Sequence, residues 1–107
     1  MRFSLILQGS GTDSHQYELA LRLARAITQS EHELLSVFFY EGAVQRVMRD
    51  DEYSVWQTVQ AQTGTELLLC SQAAHRFDVT PSDGFEIAGL ATLVDLSHRC
   101  DRLVSFG

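Results

Sequence analysis

Four short apolar runs, Arg2–Leu7, Leu34–Tyr40, Glu66–Leu69 and Arg102–Phe106, are separated by stretches with a helical period. This alternation limits the folds open to the chain more than any other feature. Strand-length segments rich in branched and aromatic residues, broken by no more than a single serine, suit strands covered on both faces. Between the first two runs, Tyr17, Ala20, Leu21, Ala24 and Ile27 recur at helical spacing, with Thr12, Asp13 or Ser14 placed to cap the helix. Gly42 to Arg49 carries Ala43, Val44, Val47 and Met48 on one stripe. Asp50 and Asp51 are placed to open the next helix, which turns Val55, Trp56 and Val59 inward and stops at Gly64. Ser71 to Phe77 reads as a short helix and Pro81–Gly84 as a turn. Ile87, Leu90, Ala91 and Val94 define the inward stripe of a last helix. Strands alternating with helices require βαβ crossovers. The expected fold is therefore a three-layer α/β/α domain, with a mainly parallel sheet of four to five strands and a flavodoxin-like appearance.

The chain has 107 residues, a length that fits one domain over residues 1–107. Hydrophobic residues make up 45% and charged residues 21%, which marks a globular chain. No apolar run is long enough to span a bilayer, and the first residues lack the shape of a secretory signal, so a cytoplasmic protein is expected. Net charge is −6, and every basic residue is arginine, none of them clustered. Direct binding to nucleic acid is accordingly not expected. The lack of lysine removes Schiff-base chemistry, a Walker-type phosphate lysine and a Ser-Lys dyad.

In a parallel sheet, ligands and reactive groups collect at the carboxyl ends of the strands. Cys70 stands at such an end, followed at once by Ser71, Gln72 and His75. Two roles stay open from these residues alone: a small buried hydrophobe, or a thiolate activated by its electropositive surroundings. Cys100 falls at the amino end of the last strand, on the far side of the sheet, and is expected to be structural. A disulfide between the two is not expected, and no C-x-x-C motif occurs. Cys70–His75 and His98–Cys100 have metal-ligand spacing, but neither has a second half, so no metal site is expected. Gly9-Ser10-Gly11 resembles a phosphate-cradling turn without its third glycine or its lysine. It is either a tight strand-to-helix turn or a loop beside the one carrying Cys70, lending backbone N–H groups to an anionic sulfur. No G-x-S-x-G elbow supports hydrolysis.

Four segments resemble a known family. They are Met1 to Ile27, His32 to Tyr40, the strand-Cys-helix Glu66 to Arg76, and a tail holding Gly84 to Ala91 and Cys100 to Phe106. Together, in order and spacing, they resemble the small sulfur-relay proteins of the DsrE/TusD group, closest to its TusD branch. The resemblance implies a DsrE-like fold and a sulfurtransferase that carries sulfane sulfur as a persulfide on Cys70, with Gly9, Ser10, Gly11, Ser71 and His75 as site neighbours. It implies a sulfur-donor protein, a DsrC/TusE-like acceptor, no cofactor, and assembly as a homo-oligomer or with paralogous subunits. The pathway would be tRNA thiolation or cytoplasmic sulfur oxidation. The stretch from Phe77 to Phe85 is shorter than its counterpart in that branch. Two alternatives stand beside this one: a non-catalytic subunit or binding module of such a complex, and a small-molecule or nucleotide-binding domain using the Gly9–Gly11 loop.

Overall fold

The computed structural model describes residues 1–9, 14–49 and 52–106. The expected helix caps Thr12 and Asp13, the loop residues Ser10 and Gly11, and the acidic pair Asp50 and Asp51 lie outside the described residues. The elements run β1 (Arg2–Leu7), α1 (Ser14–Thr28), β2 (Glu33–Phe39), α2 (Gly42–Arg49), α3 (Tyr53–Thr63), β3 (Glu66–Cys70), α4 (Ser71–Arg76), β4 (Phe85–Ala88), α5 (Leu90–Arg99) and β5 (Arg102–Phe106). The strands form one five-stranded sheet in the order β4-β3-β2-β1-β5, and every neighbouring pair is parallel.

Alternation along the strands sorts the core into two sides. Leu7, Phe39, Leu69 and Phe85 share one side through the ladder registers. There the Phe39 ring meets Trp56 edge-on at 5.4 Å and Phe85 at 5.8 Å, and Trp56 meets Tyr17 at 6.2 Å. Helices α1 and α3 therefore cover this side, burying Tyr17, Ala20, Ala24, Ile27, Trp56 and Val59. The steps β1 to β4 move one way across the sheet and the return from β4 to β5 moves the other. Right-handed crossovers then place α5, which packs against both β4 and β1, on the opposite side. On that side Ser4 and Ser36 are fully buried and satisfy each other through a 2.9 Å hydrogen bond.

Two sequence expectations change. The segment Phe85–Ala88 is an edge strand paired with β3, so Ile87 belongs to β4 and not to the last helix. Gly89 caps α5 after it. The stripe Leu90, Ala91 and Val94 faces outward: α5 packs instead through Leu96, fully buried, and Leu93. Leu90 and Val94 remain 48% and 58% exposed.

The connection from α4 to β4 is pinned to α3. Gln57 Nε2 donates to the Asp83 carbonyl at 2.5 Å, and Gln60 Nε2 to the Gly84 carbonyl at 2.8 Å. Gly84 has φ +91°, so this turn needs glycine for its conformation, and a Cβ there, 2.3 Å from Gln60 Oε1, would displace the Gln60 amide.

Candidate functional site

Cys70 is the last residue of β3 and the N-cap residue of α4, so strand passes to helix with no intervening loop. Its backbone (φ −58°, ψ 125°) is extended, as an N-cap requires, while its side chain makes no capping hydrogen bond. The ladder pairs it with Ala88 at the end of β4. It is a free thiol and only 1% exposed. The strand-end position matches the sequence expectation; the thiol, however, is enclosed by the packed chain.

The expected neighbours are only partly brought together. Ser71 is half-buried in the first turn of α4. His75 lies exposed in the last turn of that helix, and among the described residues no hydrogen bond joins it to Cys70. Gly9, with φ +30°, closes β1 and lies against α2, where an added Cβ would be 3.9 Å from Ala43. Because β2 separates β1 from β3, the described part of this loop adjoins the β2–α2 turn, not Cys70. Cys100 caps α5 at the opposite, amino end of the parallel sheet and is half-buried and free, so the two thiols are far apart in the fold. Among the described residues no cluster of three or more metal-ligating side chains occurs.

Two features at the carboxyl edge escaped sequence reasoning. The first joins α4 to the β2–α2 turn. Arg76 forms an ion pair with Glu41 and holds its guanidinium 4.8 Å from the Phe77 ring centroid. Glu41 is left-handed at φ 52°. The end of α4 closes with Asp78 N–H donating to the His75 carbonyl and Val79 N–H to the Ala74 carbonyl. This is a Schellman motif with Asp78, at φ 54°, in the position glycine favours. Beside it Gln45, Met48, Phe77, Asp78, Val79 and Thr80 line a groove of about 310 Å³.

The second is a polar knot under the first turns of α1 and α3. Trp56 Nε1 donates to Tyr17 Oη at 2.6 Å, and Arg46 lies 4.3 Å over the Tyr17 ring while pairing with Glu52 at 3.2 Å. Burial pushes the Tyr17 phenol far above its ordinary pKa; the Trp56 hydrogen bond opposes this and the neighbouring Glu52 adds to it. The hydroxyl therefore stays protonated. The partners lie up to 39 residues apart, so no periodicity points to them.

Comparison with known proteins gives this geometry a family. The profile of the DsrE/DsrF-like family matches residues 1–106. The chain is 34% identical to the sulfurtransferase TusD of Salmonella arizonae, covering 99% of this chain and all of that protein. It is 33% identical, with the same coverage, to the sulfurtransferase TusD of an Enterobacter species. Both alignments extend over 128 residues against 107 here, so those relatives carry insertions relative to this chain. The crystal structure of the ychN protein from E. coli superposes with a TM-score of 0.80 at 24% identity, over 99% of this chain and all of that one. Matched end to end by the family profile and by these relatives, the chain belongs to the DsrE/DsrF-like family.

Proposed function

We propose that this chain is a sulfur-relay protein that accepts sulfane sulfur on Cys70 and passes it on. The observation that carries the proposal is a thiol at the carboxyl end of a central parallel strand, in a chain about a third identical over its full length to proteins named sulfurtransferase TusD. The Cys70 thiolate attacks the outer sulfur of a donor persulfide, R–S–SH. The donor's S–S bond breaks, its inner sulfur leaves as a thiolate, and Cys70 becomes Cys–S–SH. An acceptor thiolate then attacks that outer sulfur and Cys70 leaves as a thiolate, with no net oxidation in either step. Rates follow thiolate fraction, leaving-group pKa and access.

The donor is a persulfide-bearing protein and the acceptor a DsrC/TusE-like thiol protein. The setting is the cytoplasm, and the pathway tRNA thiolation or sulfur oxidation. Assembly with further copies or paralogous subunits is supported by four apolar side chains left 40–58% exposed, Ile87, Leu90, Val94 and Leu103. The experiment is intact mass after incubation with a persulfide donor. A gain of one sulfur is expected, retained in Cys100→Ser and lost in Cys70→Ser; no adduct with a competent donor would sink the proposal. The near-complete burial of Cys70 favours one second reading, a non-catalytic subunit of a relay complex, for which that negative result is the expected one.

A further inference from the structure

We infer that Tyr40 is the positioning residue for the sulfur carried on Cys70, its phenol donating a hydrogen bond to the outer sulfur of the persulfide. The inference rests on the relay chemistry proposed above and adds a second residue to that site. Phe38 pairs with Leu68 and Phe39 with Leu69, so the next rung of the parallel ladder sets Tyr40 beside Cys70. Strand geometry persists that far, because the Tyr40 N–H still donates to the Leu7 carbonyl at 2.8 Å. Side chains alternate along a strand. Tyr40 therefore shares the face of Ser36 and Phe38, and Cys70 shares that face through Leu68. Neighbouring strands lie about 4.8 Å apart, which makes the two residues first neighbours across the rung. On the other flank Cys70 pairs with Ala88, whose methyl offers no hydrogen-bonding atom. Of the two lateral neighbours, Tyr40 alone carries a polar group.

The Tyr40 backbone is held from both sides. Its carbonyl accepts from the N–H of the buried Ala43 at 3.1 Å, and Glu41 then turns the chain into α2 through a left-handed φ of 52°. The side chain is half-buried and packs against the core. A tyrosine so placed presents an apolar body and a polar tip. Among the described residues nothing engages that tip, and no hydrogen bond joins it to the resting thiol. The hydroxyl stands farther from its backbone than a thiol does. A persulfide lengthens Cys70 by one S–S bond, about 2 Å, toward the level of the phenol. A donor that meets only the loaded form holds the sulfur in one place and favours its anion. An anionic outer sulfur repels incoming thiolates, so the cargo outlasts small thiols until a docked partner displaces the phenol.

In the full chain carrying Cys100→Ser, Cys70 is the only thiol. Glutathione persulfide loads it, glutathione leaving as its thiolate; dithiothreitol then removes the outer sulfur, and intact mass follows the loss. Tyr40→Phe keeps the ring and should shorten the lifetime of the added sulfur about ten-fold, the low end for a hydrogen bond to a charged acceptor. At equal loading the near-ultraviolet band of the persulfide anion should be weaker in Tyr40→Phe, since the bond favours that form. Iodoacetamide labelling of the unloaded thiol and the urea midpoint should not change, because no bond to Cys70 is lost until sulfur is present. Tyr40→Ala removes the ring as well and should speed that labelling several-fold. Equal sulfur lifetimes and equal bands in the parent and Tyr40→Phe would overturn the role of Tyr40 and leave the relay standing. Faster labelling of the unloaded thiol in Tyr40→Phe, the mark of disturbed packing, would also overturn it. Unchanged labelling in Tyr40→Ala would take the ring away from Cys70 and do the same. No sulfur on Cys70 in the parent would refute the relay, and the role of Tyr40 with it.

Discussion

Replacing Tyr17 by phenylalanine isolates one hydrogen bond in the core, and its cost follows from what the structure leaves in place. The ring survives, so the edge contact with Trp56 at 6.2 Å and the Arg46 guanidinium at 4.3 Å are both kept. What disappears is the acceptor of the Trp56 Nε1–H bond, and Trp56 is fully buried. An orphaned buried donor costs about 1–3 kcal/mol. For a domain of this size that is roughly 4–24 °C in Tm, at about 4–8 °C per kcal/mol for chains slightly shorter than this one. Trp56→Phe costs more, because it also loses buried area and leaves a cavity, about 2–4 kcal/mol on large-to-small precedent. Tyr17→Phe should be milder when Trp56 is already phenylalanine, since no indole N–H remains to be stranded. The coupling expected from that cycle is about 1–2 kcal/mol.

Urea unfolding followed by far-ultraviolet circular dichroism measures all four proteins on one scale. Trp56 is the only tryptophan, so its emission also reports the local change in Tyr17→Phe directly. A Tyr17→Phe protein within 0.5 kcal/mol of the parent, or a strictly additive cycle, would refute the reasoning. Either result would mean that the 2.6 Å contact exists without the desolvation penalty assigned to it.

Two further outcomes are expected. Because burial raises the Tyr17 pKa, its contribution to stability is fully present below the ordinary tyrosine value of about 10 and is lost as pH rises beyond it. The unfolded chain then releases a proton that the folded chain retains. Stability should fall by up to about 1.4 kcal/mol per pH unit from this group, and pH-dependent urea titrations of Tyr17→Phe should show that component missing. Gly84→Ala should destabilise more than Gly64→Ala in the same assay. Both glycines have positive φ, but only at Gly84 does the new methyl meet Gln60 and break its hydrogen bond to the turn, whereas Gly64 has no atom within 4 Å. The expected costs are about 2 against about 1 kcal/mol, from strain plus a lost hydrogen bond and from strain alone.

Much of the fold was legible because each of its main signals is local. The apolar runs at Arg2–Leu7 and Arg102–Phe106 match β1 and β5 end to end, and the stripe from Tyr17 to Ile27 is the buried face of α1. β4 was not legible: four residues at a sheet edge bury only Phe85, and Ile87 then falls in step with Leu90 and Val94 beyond Gly89. Strand order is non-local, so nothing in the Gly9 loop announces that β2 will stand between it and Cys70. The Glu41–Arg76 ion pair was hidden for a related reason. Glu41 and Arg76 are 35 residues apart, and the left-handed backbone of Glu41 has no sequence signature in a residue that is not glycine.

One surface, that of α5, was misjudged, and the question left open at Cys70 has the same physical cause. Helix α5 carries apolar residues on two sides, Leu93 and Leu96 on one and Leu90, Ala91 and Val94 on the other. Periodicity identifies such a helix but cannot choose which stripe the sheet receives. The choice is made by the crossover, which must run from one edge of the sheet to the other and can set only one side of α5 against Ser4 and Ser36. At Cys70 the same division holds. The strand end follows from the local pattern up to Cys70, but its near-complete enclosure is a result of tertiary packing that no local pattern encodes.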